Sequence, residues 1–599
     1  MLPRLAPHRA PSPAQRTVAR AATAACCALA LALASGPTRA QGTPFALDEG
    51  GGLHRLWVVD DLTGVPAPVS GSVEFLPLDL DGVPRSQRLR ADLPRRVSGA
   101  VEQVRLPAAG SLLRLKDGAQ TRLVLLRTDG RLEVLVSVLD VGGEAGVRGH
   151  VAVGPDGREA LVATSPAAGG DVLHVDLDTG LLRELTTGLP PLDVTPGSLR
   201  LGPRDAWFLA GDLVGRVDLA DRLAMAELVT LPLAAGEDLA GEPVVSADGG
   251  TLAVVSEAPG GARQLYVVPE VGAPRLVTDA PGDIALPGLD EVAGPFVALS
   301  PDGERIAWRG TLLAQELFVR DTGALAAAEQ VTADAQFVDT IDNVGILGFA
   351  GGDLLVFVAG EAGGQGMALG SADVFALDTA LPGAEPVNLS QTSGEPAAPF
   401  TLTGELEIFD VLADPQGERL LLVTDPADGD FALEALPLDG SGPLETLAPD
   451  LVGPPVLEAV GTTVFVLAEP APPSAVSHRA LLLRPLGASP AVEELAAVSG
   501  TTGLVFDRFV ADRAGQRLAF VVEAGPGVAL PGVVNTATSS IGPALGQLFG
   551  VGPALAFGPD GRLSVGLCGV GGPLAHVGLL GGPPVLYGLP FAEGFPLAP

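Results

Sequence analysis

Five histidines, His54, His150, His174, His478 and His576, stand beyond residue 40. They are the side chains here best suited to moving protons or holding a metal near neutral pH. No two of them fall at the H-E-x-x-H spacing or at another close metal-ligand spacing. His174 lies in VLHVDLD, whose alternation is that of a strand, so it reads as a histidine paired within a sheet rather than a general base. Histidines from distant segments would have to meet in space to act together, and a linear sequence does not display that.

Three carboxylate groups invite a calcium reading: Asp79-Leu80-Asp81-Gly82, Asp428-Gly429-Asp430, and Asp339 with Asp342. An EF-hand loop needs oxygen ligands at several fixed positions and a closing Glu, and none of the three supplies that set. They are expected in turns and on solvated faces. Cys568 is the one cysteine beyond Cys26 and Cys27, and it reads as a small core residue rather than a nucleophile. The hydrolase pentapeptide G-x-S-x-G is absent. Gly569 to Gly572 does not follow a strand and open a helix, as a phosphate loop would. Trp57, Trp207 and Trp308 are far apart in sequence and read as core rather than a stacking platform. From sequence, therefore, we assign no catalytic residue, no cofactor-binding residue and no metal ligand, and we expect no cofactor.

The elements that must carry these residues follow from composition. A chain of 599 residues exceeds what one ordinary core uses, which predicts several domains or a modular array. Gly (79) and Pro (54) would suit disorder, but 47% of the residues are apolar and the mean hydropathy is +0.37. Frequent turns between short buried strands satisfy both facts.

The first forty residues differ from the rest. Arg4, Arg9, Arg16 and Arg20 precede an apolar run from Ala21 to Ala34, and Thr38-Arg39-Ala40 resembles a cleavage site before Gln41. This predicts an export signal over 1–40, cleaved after Ala40, because the run is shorter than the roughly 20 residues a spanning helix needs. A periplasmic or extracellular location follows, with no membrane span in the mature chain. Cleavage would remove five Arg and no acid, leaving 31 basic against 71 acidic residues. Such a balance excludes a nucleic-acid partner, since phosphate binding needs a basic face. It suits a soluble, self-repelling monomer. With Cys568 alone, no intramolecular disulfide forms in the mature chain.

The clearest local pattern is SPDGERIAW, Ser300 to Trp308, preceded by PFVAL and followed by ELFVRDTG. Ser-Pro-Asp-Gly fits a type I turn position by position, so two strands meet there as a hairpin. Related units contain Gly157 and Gly249. In each of the three, the turn glycine precedes a closing Thr by 29 residues: 157 to 186, 249 to 278, 303 to 332. Weaker copies lie at 202–221, 349–378, 409–425, 457–487, 509–524 and 554–567, making nine units after Val151. Each unit has four apolar runs, and runs such as LAVV and LYVV do not alternate. Their strands should be covered on both faces, which radial stacking of antiparallel sheets achieves.

The frame SPDGxxIAW…LFV…DTG…VT resembles the PD40, or WD40-like, repeat of TolB-type propellers. It is closest at 148–186, 243–278 and 294–332. The resemblance implies an all-β protein, a β-propeller of four-stranded antiparallel blades, and an exported chain; it brings no catalytic residues with it. We expect an N-terminal β segment over 41–146, as first blades or a small β domain, and propeller repeats over 147–599. One large ring is preferred to two tandem rings, whose junction would be 381–404. The expected function is a binding scaffold for a protein, peptide or small ligand in the cell envelope or outside the cell. The alternative is a lyase or hydrolase with its site at the central channel.

Overall fold

The computed structural model describes most of the chain between Gly42 and Pro596. Residues 1–41, 279–296, 332–342, 391–405 and a series of shorter loops lie outside the described residues. The export signal is among these, as is a large part of the 381–404 segment. Strands make up nearly all regular structure, and no α-helix occurs among the described residues.

The N-terminal part contains β1 (Gly42–Gly50), β2 (Leu53–Asp60), β3 (Pro66–Leu76), β4 (Asp79–Asp81), β5 (Arg95–Val97), β6 (Gln103–Leu106), β7 (Gly110–Asp117), β8 (Gln120–Arg127) and β9 (Leu132–Leu139). All but β4 share one sheet, and the C-terminal strand Glu593–Pro596 joins it by pairing antiparallel with β1. The two ends of the described chain are thus tied together by backbone hydrogen bonds. Nine four-stranded units follow, at the places the repeat indicated: 147–184, 200–230, 238–276, 297–330, 343–388, 406–451, 456–498, 504–541 and 551–587, numbered blades 1 to 9 here. Each is an antiparallel meander; within blades 1 to 5 and within blades 7 to 9 neighbours approach one another through their first strands, and blade 5 meets the first strand of blade 6 through its third. The fold is a β-propeller of four-stranded antiparallel blades.

Packing explains the unbroken apolar runs. In blade 3, Leu252 and Val254 pack with Trp207, Leu209 and Val214 of blade 2. Ala253 and Val255, one residue out of phase, pack with Ile306 and Trp308 of blade 4. Successive side chains of a strand point to opposite faces, so a strand with a blade on each side must be apolar at every position. Each fully buried Val or Leu contributes roughly 2 kcal/mol, which a lone sheet would lose on one face. Blades 5 and 6 share a core of this kind, and their strands pair at Leu369 and Ile408.

The repeated turn is a local hydrogen-bonded unit. Gly303 N–H donates to Ser300 O (2.9 Å), Ser300 Oγ donates to Asp302 (2.6 Å) and accepts from Arg305 N–H (2.9 Å), and Glu304 N–H donates to Asp302 (3.0 Å). The Ser300 hydroxyl and the Glu304 N–H hold the Asp302 carboxyl below the usual range. Blade 3 repeats the set at Ser246, Asp248 and Thr251. The turns also dock on one another. A Cβ on Gly303 (φ +71°) would lie 2.4 Å from Thr251 Oγ1, and Asp248 N–H donates to Pro301 O at 2.9 Å. The closing Thr has a role as well: Thr186 Oγ1 accepts from Val172 N–H (3.0 Å) and Thr278 Oγ1 from Leu265 N–H (3.2 Å), with Ser390 doing the same for Val374 (3.0 Å).

Candidate functional site on the axial face

Blade 1 comprises β10 (Val147–Val153), β11 (Glu159–Thr164), β12 (Val172–Asp176) and β13 (Leu181–Glu184). Its first strand takes a fifth partner: β4 pairs parallel with β10, with His150 opposite Asp79 and Ala152 opposite Asp81. First strands are where blades converge, so β4 lies on the axial side of the blades. The described residues between 79 and 97, namely 79–83, 87–90 and 93–97, continue from this pairing.

At one end the segment is fastened to blades 1 to 3. The Asp81 carboxylate, 4% exposed, accepts from His150 Nδ1 at 3.0 Å and from Leu199 N–H at 3.2 Å. Asp79 pairs with Arg96 at 2.7 Å. Arg114 of β7 donates to Val147 O (2.7 and 3.0 Å) and to Pro77 O (3.1 Å), tying both flanks of the pairing. Arg200, buried beside Gly82, donates to Pro243 O (2.6 Å), Leu199 O (2.7 Å) and Gly197 O (2.9 Å), and to Glu242 (3.0 Å). Burial pushes the Arg200 guanidinium down, opposed by the charges of Glu242 and Asp81. For His150 the Asp81 hydrogen bond outweighs burial, and with the charges of Asp81, Asp79 and Glu242 it raises the imidazole above its ordinary value.

At the other end the segment reaches blades 6 and 7. Arg88 pairs with Asp410 at 3.1 Å and Arg95 with Glu458 at 3.0 Å. Leu89, 2% exposed, enters the apolar cluster between those blades with Leu412, Leu421, Leu433, Leu457 and Val466. Arg90 lies against Gly417, where a Cβ would stand 2.6 Å from its Nη1. β5 then pairs with β6 and returns the chain to the N-terminal sheet.

Of the residues weighed from sequence, Asp79, Asp81 and His150 are brought together here, with Asp81 accepting from His150 Nδ1 and Asp79 paired with Arg96. His174 is paired within its blade, Nε2 to Glu159 at 3.4 Å. His54 packs edge-on to Phe75, with centroids 5.1 Å apart. Trp207 and Trp308 are core: Trp207 Nε1 donates to Gly249 O (3.0 Å), and Trp308 stacks on Phe318. Asp339, Asp342, Asp428 to Asp430 and Cys568 lie outside the described residues, as do the side chains of His478 and His576. Sequence reasoning missed Arg88, Leu89, Arg95, Arg200, Asp410 and Glu458. The available signal was a run of arginines in a strongly acidic chain, unassigned to any strand. Chemically, the arrangement can hold polypeptide by strand pairing at 79–81, by carboxylate–guanidinium pairs and by one Leu buried from a turn whose Arg90 N–H donates to Gln87 O (2.9 Å), and it presents one imidazole oriented by a carboxylate.

No protein-family model and no curated protein matches this sequence. Among solved structures, the chain is similar to TolB from Acinetobacter baumannii at 12% identity, covering 57% of this chain and 78% of that one, with a TM-score of 0.24. It is also similar to an oligogalacturonate lyase in complex with manganese (12% identity, 66% and 97% covered, TM-score 0.32). A third similarity is to dipeptidyl peptidase 4 of Porphyromonas gingivalis (11% identity, 73% and 66% covered, TM-score 0.39). Superpositions this partial carry no argument about activity. The fold, a β-propeller whose repeat resembles TolB-type blades, rests on the chain's own strand order and blade packing.

Proposed function

We propose that this chain is an exported, monomeric, non-catalytic scaffold that binds a protein, peptide or small ligand on the axial face of its blades. The observation that carries this reading is the set of described residues between 79 and 97: the blades already hold polypeptide there, through the strand pairing of 79–81, a turn at 87–90 that inserts Leu89, and the matched charges of Arg88 and Arg95. Fold alone does not assign a function. Export is supported by the arginine-flanked apolar run at 21–34 and the small-residue site before Gln41. Site-specific photo-cross-linkers at axial positions, used in the source cells with mapping of the cross-linked peptides, test the binding reading. A reproducible partner joined to axial positions supports it, and cross-links indistinguishable from those of outer-strand positions overturn it. The mass of the mature protein, starting at Gln41 or not, tests export.

The Asp81–His150 pair favours a second reading, an enzyme with its site at the central channel. A buried carboxylate orienting a half-buried imidazole is the arrangement of a general base and its positioning partner. Turnover of any candidate substrate that survives in an Asp81→Asn variant with an unchanged pH profile would remove it.

A further inference from the structure

We propose that the clamp between blades 6 and 7 is a recognition site for arginine–leucine peptides, filled in this chain by its own Arg88, Leu89, Arg90 and Arg95 and open to a partner segment of the same chemistry when they withdraw. The proposal rests on the binding-scaffold reading and specifies its ligand and its regulation.

Three observations on different atoms converge. The apolar clusters between blades 2 and 3, 3 and 4, 4 and 5, and 5 and 6 consist, among the described residues, of residues from those blades and the loops joining them. The cluster between blades 6 and 7 contains Leu89, contributed from a segment more than 300 positions earlier in the chain. Asp410 and Glu458, one on each blade, meet Arg88 and Arg95 of that segment, and the Asp410 side chain is only 13% exposed. Gly417 leaves room for the Arg90 guanidinium that any side chain there would displace. The site thus reads Arg, Leu and Arg at consecutive positions and a further Arg five residues on. A carboxylate partly withdrawn from water and a Leu-sized space are features that a vacated clamp would offer to another ligand.

A tethered segment competes at an effective concentration on the order of millimolar, so a free peptide of micromolar affinity gains no entry until the cis segment is disabled. The test uses a fluorescein-labelled peptide of the sequence QRLRADLPRRV, residues 87–97, and the full chain carrying Arg88→Ser, Leu89→Ser and Arg90→Ser. Fluorescence anisotropy is expected to show saturable one-to-one binding to this variant and none to the wild-type chain. Replacing the peptide's leucine by Ser should weaken binding about 30-fold, and adding Asp410→Asn and Glu458→Gln to the protein should weaken it further. Equal binding to variant and wild type, no saturable binding to a folded variant, or indifference to the two carboxylates would overturn the proposal. Should the triple variant lose its β-sheet circular dichroism, the milder Leu89→Ala chain replaces it. The peptide is then expected to raise the Tm of that variant and not of the wild type, and a rise in both or in neither overturns the proposal. If the peptide fails while axial cross-linking still captures a partner, this inference falls and the scaffold reading stands.

Discussion

Asp81 accepts a hydrogen bond from His150 at 3.0 Å between Oδ1 and Nδ1, across a parallel register that sets the carboxylate beside the first strand of blade 1. With Nδ1–H so committed, the second ring nitrogen carries the titration. The raised proton affinity of the folded state then fixes the sign of its pH dependence. The contribution of the pair to stability is complete below the ordinary imidazole value of 6.5 and is lost as pH rises through the folded value. The stability advantage of wild type over His150→Gln should therefore be about 1 kcal/mol larger near pH 5.5 than near pH 9. Urea unfolding at the two pH values measures it, and an advantage that does not change with pH would contradict the assignment.

Arg200 is held mainly by backbone carbonyls. Three of its four acceptors are Pro243 O, Gly197 O and Leu199 O, and the fourth, Glu242, has a side chain that is 69% exposed. Arg200→Met should cost about 3 kcal/mol or more, because it strands buried carbonyls, whereas Glu242→Gln should cost less than about 1 kcal/mol. Comparable losses for the two variants in chemical denaturation would show that the ion pair, not the carbonyls, dominates.

Turn docking predicts unequal tolerance of glycine replacement. Gly303 and Gly352 have similar left-handed φ angles, +71° and +64°, but a Cβ meets Thr251 only at Gly303 and meets nothing within 4 Å at Gly352. Gly352→Ala should cost about 1 kcal/mol for the backbone conformation alone. Gly303→Ala should cost about 1–2 kcal/mol more for the displaced Thr251. Melting temperatures of the two variants decide, and equal shifts would mean that the turns do not bear on one another.

The closing Thr of the repeat is expected to matter for its hydroxyl. Thr278→Val, similar in shape, leaves Leu265 N–H without its acceptor and should cost about 1–2 kcal/mol, while Thr278→Ser should recover most of that. Hydrogen exchange at Leu265 gives a local readout: faster exchange in the Val variant and near-wild-type exchange in the Ser variant.

Rim fastening is a further consequence of the fold. Arg127 donates to Asp178 O of blade 1, Arg183 to Asp221 O of blade 2, Arg216 to Glu270 O of blade 3 and Arg275 to Thr322 O of blade 4, each from the preceding sheet. A guanidinium reaches two acceptors in a fixed fork, which an ammonium does not. Arg216 also pairs with Asp205 and Glu270 and lies over Trp207. Arg216→Lys should therefore lower stability by about 1 kcal/mol or more, and an unchanged unfolding midpoint would reject the fastening role.

Read alone, the sequence determined the blades. Ser-Pro-Asp-Gly specifies a turn through its own side chains, and strands apolar at every position demand a neighbour on each face. Both constraints act over a few residues, so the turn is visible at 300–308 and around Gly157 and Gly249, and the unbroken apolar runs also in the weaker units. Only the tertiary structure decided what lies on the axis. Asp81 meets Leu199, Arg88 meets Asp410 and Leu89 enters the core of blades 6 and 7 because the backbone path brings distant segments to one face. A charge pair or an inserted Leu at such separation leaves no period in the sequence, and its partner exists only once the blades have assembled.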